Sequence, residues 1–423
     1  MPLGWPGLLR LGLVQSAIGA LAVLATSLLN RVMIVEYALP AALPAGLVAW
    51  HYSVQLSRPA WGHGSDRARR RAPWIVGGMA VLAAGTLTAV AALPLIAAGG
   101  WTGLCIALLA FTLIGTGVGA AGTTTLALLA AGATPAQRPA AAAIAWIMMI
   151  LGIAVTAGVV GALIDPFSPA RLLRIAAWVA MGAVALSIIA TWRIEGAAVP
   201  PETAPPPLAA ALRAIGDDPA ARRFTAFVFV SMLAYSMQDL ILEPFAGLRF
   251  GMSAGQSTSL TGVQHGGVLI GMIGAGIGGS LQGGAGLRRW ITGGCAASTL
   301  AMVALALGAQ AGPGWPLVAN VALLGIANGI FAVAAIGAMM SLASAGGAGS
   351  EGVRMGVWGA AQAIAFALGG LLGAGGVDLL RAATGSSADA FAAVFAVEAA
   401  LFAAAALLAW HPVSAPMHKA APA

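Results

Sequence analysis

Charge is what this chain has least of. Only 8% of its 423 residues are Asp, Glu, Lys or Arg, while 60% are hydrophobic and mean hydropathy is +0.93. A soluble globular chain carries about 25% charged residues, so the composition excludes that class and describes a polytopic membrane protein. Lysine is nearly missing, Lys419 being the single one. No GxxxxGK can therefore form a phosphate-binding loop, and ATP is excluded as the energy source. The six residues GVGAAG, Gly117–Gly122, fit GxGxxG but lie inside a long apolar run with no preceding strand, so they read as helix-packing glycines. Cys105 and Cys295 both lie in or beside apolar runs, which predicts neither a disulfide nor a metal site. No clustered Ser/His/Asp or Cys/His set argues for catalysis, and the chain is predicted not to be an enzyme. Net charge is +7 and rests on arginine. In a membrane chain such a surplus reports orientation, not nucleic-acid binding.

What is abundant is apolar length. Twelve runs approach the length of a span: 11–35, 41–58, 73–96, 101–131, 140–164, 171–192, 224–246, 257–281, 287–309, 315–342, 353–376 and 388–410. The first resembles a secretion signal, but it is too long for one and leads into Asn30, Arg31 and Glu36 without a convincing processing site, so it reads as a retained span. Trp61, Trp74, Trp101, Trp192, Trp290, Trp315 and Trp410 lie near run ends, as an interfacial belt would. With both termini cytoplasmic, the inner side collects most arginines and the outer side only Arg31, Arg171, Arg174, Arg249 and Arg381. That asymmetry predicts an N-in, C-in topology. The Pro-rich stretch 193–223 reads as a cytoplasmic linker between two six-helix halves, 1–192 and 224–410, with 411–423 a cytoplasmic tail.

Two charged stretches stand out. Asp239 and Glu243 are spaced one helical turn apart inside the apolar run Phe224–Phe245. Charge near a bilayer centre is expensive, so both should face protein or water. Two readings stand: a structural ion pair near a helix end, or a direct role toward substrate or proton. Arg31 lies about 32 Å along the first span and Glu243 about 30 Å along the seventh, at about 1.5 Å per residue. The matching depths predict a charge gate of Arg31, Glu243, Asp239 and Glu36. The second stretch, GHGSDRARRR from Gly62 to Arg71, is similar to the GxxxDRxGRR loop of the major facilitator superfamily. Gly62, Asp66, Arg67, Arg70 and Arg71 match, and Arg69 replaces a glycine. The plain alternative is a basic loop that obeys the orientation rule. The corresponding stretch of the second half, Gly278 to Arg289, keeps glycines and arginines but no acid.

Five further stretches resemble one branch of that superfamily, the bacteriochlorophyll delivery or PucC/LhaA family of light-harvesting assembly factors. They are NRVMIVE at 30–36, QDLILEP at 238–244, TTTLALLA at 123–130, DPFSPARL at 165–172, and GIANGIFAVAAIGAMMS with GVWGAAQAIAF at 325–341 and 356–366. Ala131 stands where the family tends to carry an acid, and the loop after the second span is short. The resemblance implies an all-α major facilitator fold of twelve transmembrane helices in the cytoplasmic or intracytoplasmic membrane of a phototrophic bacterium. It also implies a role in photosynthetic complex assembly, with bacteriochlorophyll or a precursor as ligand, light-harvesting polypeptides as partners, and no covalently bound cofactor.

In that fold the first, fourth, seventh and tenth spans line a central cavity. Here they supply Asn30, Thr116, Thr123, Tyr235, Gln238 and Asn328 among apolar walls. Few polar groups on a greasy wall suit a large apolar ligand. His51 and His265 occupy similar places in the two halves; either could ligate the magnesium of a chlorin, or simply pack. The rival function is proton-coupled export of a small hydrophobic molecule, with Asp239 or Glu243 as the proton site.

Overall fold

A computed structural model describes residues 3–29, 32, 33, 36, 37, 39, 42–164, 167–195, 207–252, 254–282, 286–345 and 350–410. Within these, the side chains at 26, 27, 42, 45, 158, 161, 162, 240, 243, 254–259 and 345 are not described. All regular structure among the described residues is helical.

Trp5–Val23 (α1) runs into a π-helical turn, Leu24–Leu28. Ala42–Val54 (α2) passes through a 3-10 turn, Gln55–Ser57, into Arg58–Arg67 (α3). There follow Ala72–Ala97 (α4), Trp101–Gly132 (α5), Arg138–Ile164 (α6), Pro169–Thr191 (α7), Leu208–Asp217 (α8) and Pro219–Met237 (α9). A 3-10 turn, Gln238–Leu240, leads to Leu242–Phe250 (α10). The rest is Ala254–Leu281 (α11), Leu287–Ala311 (α12), a 3-10 turn Gly312–Gly314, Leu317–Ala345 (α13), Glu351–Thr384 (α14) and Ser387–Trp410 (α15).

Ten of the described helices are long and apolar enough to cross a membrane. The two expected spans missing from that set, 41–58 and 224–246, are the ones interrupted by 3-10 turns. Pro244 accounts for the second interruption. It has no N–H for the carbonyl four residues earlier, and its ring clashes with that carbonyl. The α-helix stops at Met237, upstream of the proline. Asp239 therefore lies on a 3-10 turn and Glu243 on the next helix, so the one-turn spacing on a continuous helix does not hold.

The chain forms two compact units. The first holds Met1–Thr134, Ile144–Ala211 and Gly346–Ala363; the second holds Pro135–Ala143, Leu212–Ala345 and Ile364–Ala423. Small residues let the helices approach backbone to backbone. In the first unit a Cβ on Gly78 would lie 2.6 Å from the Ala121 nitrogen, and in the second a Cβ on Gly267 would lie 2.6 Å from the Ala322 oxygen. The stretch 193–223 is more than a linker, because α8 buries Ala211 and Ile215 on one face.

Candidate functional site

The GHGSDRARRR stretch is helical through Arg67, so its first half is a helix end and not a loop. Asp66 is buried and points at the start of α14. Its Oδ1 accepts the Gly352 N–H and its Oδ2 accepts the Val353 N–H, both at 2.9 Å. The first N–H groups of any helix lack intrahelical acceptors, and a carboxylate there also meets the positive end of the helix dipole. Asp66 thus caps a helix almost three hundred positions away in sequence. Gly62 makes this approach possible, since a Cβ there would run into the Gly352 carbonyl.

Arg71 closes the cluster. One nitrogen, Nη2, donates to Asp66 Oδ1 at 2.7 Å and to Glu351 Oε2 at 2.9 Å, while Nη1 donates to the Ala127 carbonyl at 3.3 Å. Burial pushes the Asp66 carboxyl up from its ordinary value, against the pull of Arg71 and the two backbone N–H groups. Burial also works against the Arg71 charge, but Asp66 and Glu351 outweigh it and hold its pKa above the usual value. A second carboxylate repeats the arrangement: Glu195 accepts the backbone N–H groups of Arg71 and Ala72 at 2.8 Å each, capping α4. Arg67 and Arg70 are exposed.

Sequence reasoning missed Glu351 and Glu195 as parts of this cluster. Glu195 falls in the Pro-rich stretch 193–223. Glu351 carried a signal of position, since it lies in the first turn of its own helix, where an acid meets the positive end of the dipole; Glu195 caps a different helix and carried none.

The second assembly lies within the other unit, where the α9 helix breaks. Gln238 is fully buried and neither end of its amide has a hydrogen-bond partner among the described residues. Asp239 beside it is exposed. Tyr235, one turn earlier, sits edge-on to Phe331 and Phe366, with ring centroids 6.4 and 6.2 Å away. Asp239 acts electrostatically on both Tyr235 and Glu398. Glu398 is fully buried and neither carboxyl oxygen has a partner among the described residues. It lies on the α15 face that carries Phe391, Phe395 and Phe402, which pack against Phe245 and Phe331. Asn328, also fully buried, accepts a hydrogen bond from Ser298 at 2.8 Å and leaves its Nδ2 unpartnered. Three fully buried polar groups of this unit, Gln238, Asn328 and Glu398, thus keep hydrogen-bonding capacity unspent among the described residues, on helices that also carry its packed aromatic rings. Buried polar groups are ordinarily satisfied, so this density of exceptions marks a place built to meet something else.

The remaining sequence candidates divide. Asn30 and Arg31 lie outside the described residues, and so does the Glu243 side chain. The gate of Arg31 and Glu243 is therefore not seen. Glu36 is exposed. Thr123 and Thr124 are buried with unpartnered hydroxyls, whereas Thr125 donates to its own helix at the Ala121 carbonyl. Thr116 is half-buried. The two histidines are not alike. His51 is buried, with Nε2 2.8 Å from the Gln55 amide nitrogen and Nδ1 unpartnered; His265 is exposed, with Nδ1 2.9 Å from the Thr261 carbonyl oxygen of its own helix.

This helical architecture is that of the major facilitator transporters. The chain superposes on a bacterial homologue of the iron transporter ferroportin with a TM-score of 0.75 at 14% identity, covering 96% of this chain and 98% of that one. It superposes on the E. coli fucose:proton symporter FucP with a TM-score of 0.68 at 15% identity, covering 95% and 97%. Within that class the chain belongs to the PucC family, whose model, described as PUCC protein, matches residues 28–416. It is 52% identical over 418 residues to the "Bacteriochlorophyll synthase 44.5 kDa chain" of Rhodobacter capsulatus, covering 98% of this chain and 97% of that protein. It is 31% identical over 415 residues to Protein PucC of the same organism, covering 93% and 89%.

Proposed function

We propose that this protein binds bacteriochlorophyll or a lipid-like precursor and delivers it during assembly of light-harvesting complexes, without itself catalysing a reaction. The observation that carries this reading is the unspent hydrogen-bonding capacity of buried Gln238, Asn328 and Glu398 on helices that also carry packed aromatic rings. A large, mostly apolar ligand with a few polar substituents suits such a wall. The similarity to a relative named for bacteriochlorophyll synthesis supports the same ligand class. On this reading twelve spans form two six-helix halves, with both termini cytoplasmic and the interrupted stretches 41–58 and 224–246 counted as the second and seventh spans. Irregular backbone inside a transporter is tolerated where it lines a cavity.

The test is pigment copurification from the phototrophic source. The wild-type protein should carry bacteriochlorophyll through a detergent column, and Gln238→Leu, which removes both polar ends without adding bulk, should lose most of it. Deletion of the gene should lower antenna absorption while free pigment synthesis continues. Normal antenna spectra in the deletion strain under every light regime would end this reading.

One set of residues favours a second reading. Exposed Asp239 beside buried, unpartnered Glu398 is also what a proton-coupled exporter of a small hydrophobic molecule would need. Flux driven by a pH gradient in proteoliposomes, abolished by Asp239→Asn, would select it.

A further inference from the structure

The two units share a short repeat that neither the helix-end cluster nor the set of buried polar groups uses. Residues 74–78 read WIVGG at the start of α4, and residues 290–294 read WITGG at the start of α12. The two glycines of each pair do different jobs. The second is buried and required by packing: a Cβ on Gly78 would lie 2.6 Å from the Ala121 nitrogen, and one on Gly294 would lie 2.7 Å from the Phe331 nitrogen. The first is exposed, and a Cβ on Gly77 or on Gly293 would meet nothing within 4 Å. Neither sits at a positive φ. Glycine is the poorest helix former after proline, yet neither backbone nor protein packing asks for it at these two places. What it leaves is space.

That space is a cleft in each unit. One, of about 250 Å³, is lined by Trp61, Trp74, Gly77, Gly78, Val81 and Thr116 among others. The other, of about 360 Å³, is lined by Gln282, Arg289, Trp290, Gly293, Gly294 and Ile330. In both the indole wall is fixed by a glycine across the chain, because a Cβ on Gly64 or on Gly278 would strike the ring of Trp74 or Trp290. Only the second cleft has a cation in its lining. Its neighbour Arg288 lies over the Trp410 ring at 5.9 Å. The Arg289 guanidinium is exposed, with no side-chain hydrogen bond or ion pair among the described residues. From Gly293 the α12 surface continues as an exposed apolar stripe through Leu300 and Leu307, at 71% and 57% exposure and seven residues apart.

We propose that the cleft over Gly293 binds an anionic phospholipid, with the phosphate on Arg289 at the rim and one acyl chain lying past Trp290 along Leu300 and Leu307. The charge of the rim selects the headgroup, and the continuity of cleft and stripe selects a chain over a compact apolar molecule. Arginine at a membrane surface pairs well with phosphate, as its planar fork matches the oxygens. The Gly77 cleft is the built-in control, with similar walls and no cationic lining.

The experiment is native mass spectrometry of the full chain in detergent, with phosphatidylglycerol and phosphatidylcholine of the same acyl chains added in turn. Wild-type protein should retain phosphatidylglycerol in preference to phosphatidylcholine. Arg289→Gln should weaken phosphatidylglycerol retention about fivefold, the worth of one basic residue at an anionic surface. Gly293→Leu, which fills the cleft, should weaken retention of the chain whatever the headgroup, whereas Gly77→Leu should leave the headgroup preference intact. Equal retention of the two lipids by wild-type protein, or unchanged retention in Arg289→Gln, would overturn the proposal. Arg289 is exposed, so that variant decides the matter even if Gly293→Leu fails to fold.

Discussion

The end of α3 in one unit and the end of α11 in the other are built to the same spacing and finished differently. Gly62, Gly64 and Asp66 in the first correspond in spacing to Gly276, Gly278 and Ser280 in the second. Gly62 meets Gly352 backbone to backbone, and Gly276 meets the Ala143 methyl at 2.6 Å from its would-be Cβ. Gly64 lies against Trp74 and Gly278 against Trp290. Where the first has an acid, the second has serine. The helix starts differ as well. At the first, Gly352 and Val353 each present an N–H that needs an acceptor. At the second, the residue against Gly279 is Pro139, which has no N–H to present. Proline in the first turn of a helix removes one of the N–H groups that would otherwise need an acceptor there.

The largest effect should come from deleting that acid. Asp66→Ala takes the acceptor from two backbone donors and leaves buried Arg71 with the Glu351 carboxylate and the Ala127 carbonyl. Removing one partner of a buried pair typically costs about 3–5 kcal/mol. The surviving Arg71–Glu351 pair puts the expected loss at the lower end, read as a drop in thermal midpoint in detergent. Ser280→Ala at the corresponding place should be nearly silent. Equal losses at the two sites would erase the contrast.

The second effect tests the approach and not the charge. Gly62→Ala drives a methyl into the Gly352 carbonyl, which is backbone and cannot swing aside. Overpacking of that kind costs about 1–3 kcal/mol. Gly276→Ala meets a side-chain methyl and should cost visibly less, because α11 and α6 can part slightly without losing a hydrogen bond. Both are read from midpoints in the same detergent, and a reversed order would mean that the polar seam is the softer one.

The contrast also shows what the chain made legible. Apolar length and arginine placement carry the membrane class, since spanning and orientation are additive over many residues. The Gly62 to Arg71 pattern pointed to a charged latch because its spacing is local. The donors it meets, the Gly352 and Val353 N–H groups, were not legible, because a cap supplied from another helix leaves no local trace. The break at Gln238 was half legible: Pro244 announces an interruption, but the clash reaches back four residues and moves it upstream. Glu398 gains meaning only in the fold, which puts Asp239 within electrostatic reach of it and gives its helix face to Phe391, Phe395 and Phe402.

The smallest effect is the pH dependence of the α3 end, where two groups work in opposite directions. Asp66 has its pKa raised in the folded protein by burial. A raised group contributes stability that is complete below its unfolded value, near 3.8, and is lost as pH rises through the folded one. His63, one turn earlier, has its pKa lowered from 6.5, first by burial and then by Arg67. Its contribution is present above that value and is lost as pH falls through the lowered one. The raw slope of stability with pH therefore mixes a gain and a loss, and Arg71 and Glu351 face the same seam. Asp66→Asn separates them, since it removes one titration and leaves His63 in place. The difference in midpoint between wild type and Asp66→Asn should move in favour of wild type as pH is lowered through the carboxylate range, and should be flat above it. Ser280→Asn, measured alongside, should show no such slope, because no acid stands there to take up a proton. A flat difference at Asp66 across the whole range would mean that its carboxylate is held as comfortably as one in water, and that the buried cap costs nothing to keep charged.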